Sequence, residues 1–432
     1  MSDAYPVDGP QLAERHNFAA KLYTAANAAA NEVEALLTTG VPLPTEDPEG
    51  AVQVTQPVRA GATVERFRQM MQVDASTKWR VVPLKGGQEE QAACTHLERW
   101  WGGFERQHQW HTKRNYKRDA IWWFLAFGRV YPEARFRQDW QNIPGRVPID
   151  ILVDDPRTIY PVKGRDGFLW YTKQYPIYRR EAETQLDRLR EMGLAVGETG
   201  WLSQVKPDAR VWAVEYWDET WYCLGMSPQP AAATPEMIKP YYVLANEHKL
   251  GFVPLAEGLC LDTPLASAEW ASQSVIGPVV SHLKQIYILA SKMATGVNLF
   301  YYPLMYYVSA TGQVVIYDPN NPKQLQPLPP GAEVKIIPVQ VNAQVLQQLM
   351  SFLMSDVNLR TLPETAWGSE PQSLQSGFAV AQVLAQVASA VQDKAPAFAQ
   401  ALAWNAGHVL RIAEQLAGGG GINLQVPADF DE

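Results

Sequence analysis

Apolar positions at the start of the chain recur at helical spacing. Leu12, Phe18, Leu22, Ala25 and Ala29 fall in an Ala-, Leu- and Glu-rich stretch, so residues 11–37 are predicted to form one helix ending before Thr38-Thr39-Gly40. Residues 40–60, with four prolines and several acids, read as a linker. A short helix is expected over 64–72 and an alternating strand over 77–84. From Glu89 to Phe127 the pattern is helical, with a joint expected at Gly102-Gly103. Its end, Trp122-Trp123-Phe124-Leu125-Ala126-Phe127, is apolar almost all round and predicts a buried helix stopped by Gly128. Strands are expected over 129–136, 147–153 and 168–175, and a charged helix over 179–192. A β-hairpin follows over 211–224, turning near Trp217-Asp218-Glu219-Thr220.

The character of the chain changes after Pro264. Trp270, Ile276, Val279, Val280, Leu283, Ile286, Ala290 and Met293 predict one long helix over 266–297, across Gly277-Pro278. Residues 299–340 return to strand and turn signals. A helix is expected over 342–359, then a polar Pro- and Gly-containing loop over 361–377. An Ala/Gln-rich helix over 378–417, kinked at Pro396, ends at four glycines. The expected fold class is α+β.

Composition narrows the picture. The chain has 432 residues, 47% of them apolar, which excludes wholesale disorder and suggests two to three domains. No apolar run approaches the roughly 20 residues of a membrane span, and Met1-Ser2-Asp3-Ala4-Tyr5 is not expected to begin a signal peptide. Cys94, Cys223 and Cys260 lie too far apart for paired zinc spacing and suggest a reducing compartment. The charge, 37 − 45 = −8, argues against tight sequence-independent DNA binding by the chain as a whole.

Catalytic signals are weak. Walker A, His-Glu-x-x-His and Gly-x-Ser-x-Gly sequences are absent. His108 and His111 lack a carboxylate at zinc-like spacing, and Asp154-Asp155 before Pro156 reads as an Asx turn rather than a metal pair. No metal or cofactor is expected. Glu215, Asp218 and Glu219 among Trp212, Trp217 and Trp221 allow a second reading, a glycoside-active hairpin, because paired carboxylates beside aromatic platforms suit sugar chemistry. The simpler reading is a half-buried hairpin.

The order of elements says more than any one motif. A buried aromatic helix leads through Gly128 to a strand. Then come Ile-Asp-Ile-Leu-Val-Asp-Asp-Pro-Arg-Thr-Ile-Tyr-Pro-Val over 149–162 and a turn at Gly164-Arg165-Asp166-Gly167. Leu328-Pro329-Pro330-Gly331 and Ser376-Gly377-Phe378-Ala379-Val380-Ala381 follow later. In this order, over roughly 90–417, the chain resembles the portal proteins of tailed double-stranded DNA bacteriophages.

The resemblance implies a wing over 1–262, stem helices over 263–298 and 341–360, a β-containing clip over 299–340 and a tunnel loop over 361–377. A long helix over 378–417 and a tail over 418–432 would complete it, leaving a minimal crown. It implies a non-enzymatic dodecameric ring at one capsid vertex, in the virion and, during assembly, the host cytoplasm. Its partners would be the major capsid protein, the terminase large subunit, a head-completion or adaptor protein, and double-stranded DNA in the channel. Lys284, Lys292, Arg360, Gln372, Ser373 and Gln375 become candidates for the channel lining, and Tyr301, Tyr302, Tyr306 and Tyr307 for clip contacts with partners. Ile276, Val279, Leu283 and Ile286 become stem-packing positions, expected to bury their face between subunits because one chain offers little to cover it. Another minor head protein is the alternative within the same class.

Overall fold

The computed structural model describes residues 9–37, 59–71, 80–83, 85, 87–141, 143, 146–191, 193–194, 196–197, 199–228, 241–261, 273–301, 305–308, 314–317, 333–336, 343–361, 385, 391–392 and 394–418. It is a mixed helix-and-sheet chain in two compact units. The first joins Met1–Asn31, Val64–Val275 and Val391–Glu432; the second joins Glu32–Thr63 and Ile276–Ala390.

The single helix expected over 11–37 is two, α1 (Gly9–Leu22) and α2 (Thr24–Leu37). The break is at Tyr23, whose hydroxyl donates to the Pro161 carbonyl at 2.9 Å and whose N–H takes the tighter bond to the Ala20 carbonyl. The buried stripe of α1 keeps Leu12 from the stripe read from the sequence but continues through His16, Ala19 and Ala20, with Tyr23 just beyond the helix. Small Ala19 and Ala20 let the helix approach closely, while Phe18 stays 54% exposed and Leu22 is also exposed. α3 spans Arg59–Met71. Residues 80–83 are irregular, not a strand; 77–79 and 84 lie outside the described residues.

α4 (Gln88–Thr112) runs unbroken through Gly102-Gly103. Two helical glycines weaken a helix by about 1 kcal/mol each relative to alanine, which the burial of Trp101, Gly103 and Phe104 outweighs. The joint comes instead at Lys113, which adopts a left-handed φ of 56°. Asn115 then caps α5 (Tyr116–Phe127), its side chain accepting the Arg118 N–H at 3.1 Å. α5 buries Ile121, Phe124 and Leu125, but Trp122 is exposed and stacks on Trp123, so the helix is not enclosed all round.

Gly128 ends α5 at φ +78°. The chain continues through β1 (Arg129–Val130), β2 (Pro132–Phe136) and β3 (Ile149–Val153), with β2 and β3 antiparallel. A five-stranded antiparallel sheet then forms in chain order from β4 (Ile159–Lys163), β5 (Phe168–Tyr178), β6 (Arg210–Trp217), β7 (Trp221–Ser227) and β8 (Tyr241–Glu247). α6 (Arg179–Glu191) buries Ala182 and Leu186 with Ile177, Val211, Leu224 and Met226 on one face. On the other face Leu12 of α1 meets Val214, Tyr216 and Cys223. β9 (Gly258–Leu259) pairs with β1.

The helix expected over 266–297 is present only from Val280 onward. Residues 273–276 are not helical, and 266–272 lie outside the described residues. A 3-10 turn at Gly277–Val279 precedes α7 (Val280–Tyr301). Pro278 lacks an N–H and has a preset φ, so it suits a helix start and not a helix interior. Next come β10 (Met305–Val308), β11 (Val314–Tyr317) and β12 (Glu333–Ile336), an antiparallel sheet in the order β11-β10-β12. α8 (Ala343–Arg360) packs against α7. α9 (Lys394–Gly418) belongs to the first unit, where Phe398 meets Phe124 with ring centroids 5.2 Å apart. Pro396 stands in its first turn.

A Cβ at Gly128 would come 2.4 Å from the backbone carbon of Gln273, whereas Gly193, also at positive φ, has nothing within 4 Å of that position. Gly128→Ala should therefore destabilise the protein by clearly more than the roughly 1–2 kcal/mol of a left-handed alanine, and Gly193→Ala by about that amount alone. Urea unfolding of both variants checks this, and equal losses would contradict it.

Candidate functional site

Alternation along β5 and β6 aims charged residues inward. Tyr171, Lys173 and Tyr175 share a face with Glu215 and Trp217, since Lys173 pairs with Glu215 across the strands and Tyr171 with Trp217. β2 adds Glu133 and Arg135. Arg135 binds both Glu133 and Glu215. Lys173 reaches Glu133 at 3.3 Å and Asp154 at 2.5 Å. The Tyr171 hydroxyl donates to Glu133 at 2.8 Å and that of Tyr175 to Glu215 at 2.6 Å. Glu133 and Glu215 are fully buried and Lys173 almost so.

Burial alone would raise the Glu215 pKa. The charges of Arg135 and Lys173 and the bonds from Arg135 and Tyr175 overcome it and hold the carboxyl at about 2. Burial, then the nearby carboxylates, push the Tyr171 and Tyr175 hydroxyls well above their ordinary range. Both buried carboxylates thus have a cation and a tyrosine hydroxyl as partners. Glu215 is sealed from solvent, and Asp218 is spent in the hairpin turn, accepting the N–H groups of Thr220 and Trp221 at 2.7 and 2.6 Å. Trp212 and Trp217 lie on opposite faces of β6, five residues apart. The hairpin therefore offers no open carboxylate pair to a sugar. Sequence reasoning passed over Glu133, Arg135 and Lys173. The signal that could have found them is charge at inward positions of otherwise apolar strands.

Of the other candidates, His108, Asp154 and Asp155 are likewise engaged, while Glu219 is exposed. His108 Nε2 lies 2.8 Å from Asp150 Oδ1, inside the fold. Asp155 accepts the Arg157 N–H at 2.9 Å in the Asx turn read from the sequence, and Asp154 faces Lys173. Among the described residues no group of three or more His, Cys, Asp or Glu side chains is placed to hold a metal ion. Cys94, Cys223 and Cys260 form no disulfide with one another.

In the second unit, Ile276, Val279, Leu283 and Ile286 are buried within the single chain, which corrects the expectation that this face awaits a neighbour. The physical reason is α8, which turns Leu353 and Val357 inward as the matching stripe. The apolar surface of α8 is wider than that seam. Val345, Leu349 and Phe352, one turn apart in succession, are exposed, Leu349 to 44% and Phe352 to 67%. Of the cations, Lys284 faces Glu32 at 2.9 Å and Arg360 faces Asp356 at 2.8 Å, while Lys292 is exposed. His282 also meets Asp356, at 3.1 Å. Tyr301 ends α7, and Tyr306 and Tyr307 pair with Ile316 and Val315 of β11 and with Lys335 and Val334 of β12. Tyr302, Gln372, Ser373 and Gln375 lie outside the described residues.

No protein-family model and no curated protein matches the chain. Among solved structures it is similar to a chain from the neck of a native GTA particle computed with C12 symmetry. That likeness has 12% identity and a TM-score of 0.38, covering 81% of this chain and 77% of the other.

Two outcomes are expected. Arg135→Met leaves two buried carboxylates short of a cation and should destabilise the first unit by about 3–5 kcal/mol, read by chemical denaturation. The second concerns acid. Burial lowers the pKa of His16 and of His408 from 6.5 to about 4, so both stay neutral in the fold while the unfolded chain protonates. Their contribution is present above about pH 6.5 and is lost as pH falls toward 4; that of Glu215 is lost lower, between about 4.5 and 2. The urea midpoint should therefore drop from pH 6.5 to 5, and His16→Gln should flatten that part of the curve. An unchanged slope in the variant would count against the assignment.

Proposed function

We propose that this chain is the portal subunit of a tailed bacteriophage, a dodecameric ring at one capsid vertex through which double-stranded DNA enters and leaves. The observation that carries the reading is the helix–sheet–helix unit. α7 and α8 pack together with β10–β12 between them in the chain, and α8 keeps an apolar stripe that its own chain leaves exposed. An unmet apolar stripe on a long helix favours self-association. The order of motifs over 149–162, 328–331 and 376–381 supports the same reading.

In such a ring the acidic balance of the chain lets DNA slide, because strong phosphate neutralisation would have to be broken at every step. Lys284, Lys292 and Arg360, with Gln372, Ser373 and Gln375 at the loop, would line the channel. With two of the three cations facing carboxylates, their pull on phosphate is weak. The β10 tyrosines would meet terminase and the head-completion protein, and the first unit the capsid.

Electron microscopy of the purified protein tests the proposal: rings with an axial hole are expected, and particles without one would favour another head protein. Leu349→Glu with Phe352→Glu should give folded protein that sediments below ring size. Leu283→Asp, which places a carboxylate in a buried seam, should instead lower the unfolding midpoint. Intact rings from the Leu349/Phe352 variant would show that this stripe is not the subunit contact.

A further inference from the structure

Charge on the first unit is unevenly placed. Residues 106–118, at the corner between α4 and α5, carry Arg106, Lys113, Arg114, Lys117 and Arg118 and no acid. With the flanking Glu105 and Asp119 included the corner still sums to 5 − 2 = +3, in a chain of −8. By contrast, α6 holds Arg179, Arg180, Arg188 and Arg190 against Glu181, Glu183, Asp187 and Glu191, a balance of 4 − 4 = 0.

The corner is also built to face outward. Lys117 is held by Glu105 at 2.8 Å, and Arg118 acts on the Glu65 carboxylate. Lys113 and Arg114 are exposed in the turn that the left-handed Lys113 creates. Trp110 is 61% exposed, with the Lys113 ammonium 4.0 Å from the ring centroid. Arg146 arrives from a separate segment and lies over Trp140. Its charge and that of Lys113 both reach His111, whose pKa is lowered by burial first and by these cations next.

We infer that this α4–α5 corner, centred on Trp110, Lys113 and Arg114, is a contact surface for the phosphate backbone of nucleic acid, independent of base sequence. The chemistry favours a polyphosphate over an acidic polypeptide. A bound peptide needs an apolar seat for its remaining side chains. The large apolar side chain exposed at the corner is Trp110, and a cation covers its face. Lys, Arg and side-chain amides on a projecting corner are what backbone-directed contacts use, and Gln109 is exposed beside them. The overall negative charge keeps such binding weak, in the micromolar range or above at physiological salt, as non-specific contacts are. This corner contains none of the channel residues proposed above, and the inference stands whether or not the chain forms rings.

Fluorescence anisotropy of a labelled random-sequence DNA duplex tests it, with Lys113→Gln, Arg114→Gln and Arg118→Gln combined. The triple variant should bind about tenfold or more weakly at low salt, with the slope of log affinity against log salt reduced by about 2 to 3. Arg180→Gln, Arg188→Gln and Arg190→Gln combined make the same change in net charge on α6 and should leave binding near that of the parent protein. Three results would overturn the inference: no duplex binding by the parent protein, equal loss in both triple variants, or displacement of the duplex by polyglutamate as readily as by unlabelled duplex. Near-ultraviolet circular dichroism of the variants confirms that the exposed substitutions leave the fold intact.

Discussion

The bond from Arg135 to both Glu133 and Glu215 is the constraint on which the first unit rests. It joins a residue of the small β2–β3 pair to one on β6 of the five-stranded sheet, and Lys173 ties β5 into the same cluster. A buried charge left alone is costly, so the strands can pack only in the arrangement that pairs them all. Here Tyr171 and Tyr175 complete the hydrogen bonds, and a one-residue slip of β5 would turn Lys173, Tyr171 and Tyr175 to the other face together.

The second unit depends on apolar seams instead. Val279, Leu283 and Ile286 are buried where α7 and the turn before it pack on α8, whose Leu353 and Val357 are buried too. The exposed stripe of α8 lies beside that seam, with Leu349 and Phe352 as its large side chains. One helix thus presents two neighbouring apolar stripes, one buried and one exposed among the described residues. In the portal reading, folding of the subunit and assembly of the ring would draw on different residues of the same helix.

Electrostatics distinguishes two places within the first unit. The acids and bases of the β2–β5–β6 cluster pair with one another out of water. The α4–α5 corner does the reverse, gathering cations where solvent and partners can reach them. A net charge of −8 describes neither place, because charge acts over about a Debye length and not over the whole chain.

Local pattern by itself determined the mixed fold class and much of the element list. The charged helix at 179–191, the hairpin around Asp218 and the helix at 343–360 follow from periodicity and turn chemistry that depend only on near neighbours. Asn115 as a helix cap and Pro278 as a helix start were equally local signals, and weighing them above Gly102-Gly103 and the apolar run would have placed both joints correctly. Tertiary structure decided what near neighbours cannot. Tyr23 breaks the first helix because its hydroxyl finds the Pro161 carbonyl 138 residues away. Phe18 remains outside while Ala19 and Ala20 go in, because closeness to the sheet rewards small side chains there. Leu283 is covered by α8, and Glu215 is sealed by Arg135, 80 residues distant. A residue's own type sets which contacts it can make. Which of them it does make depends on the chain brought beside it, and that information is distributed over the whole fold.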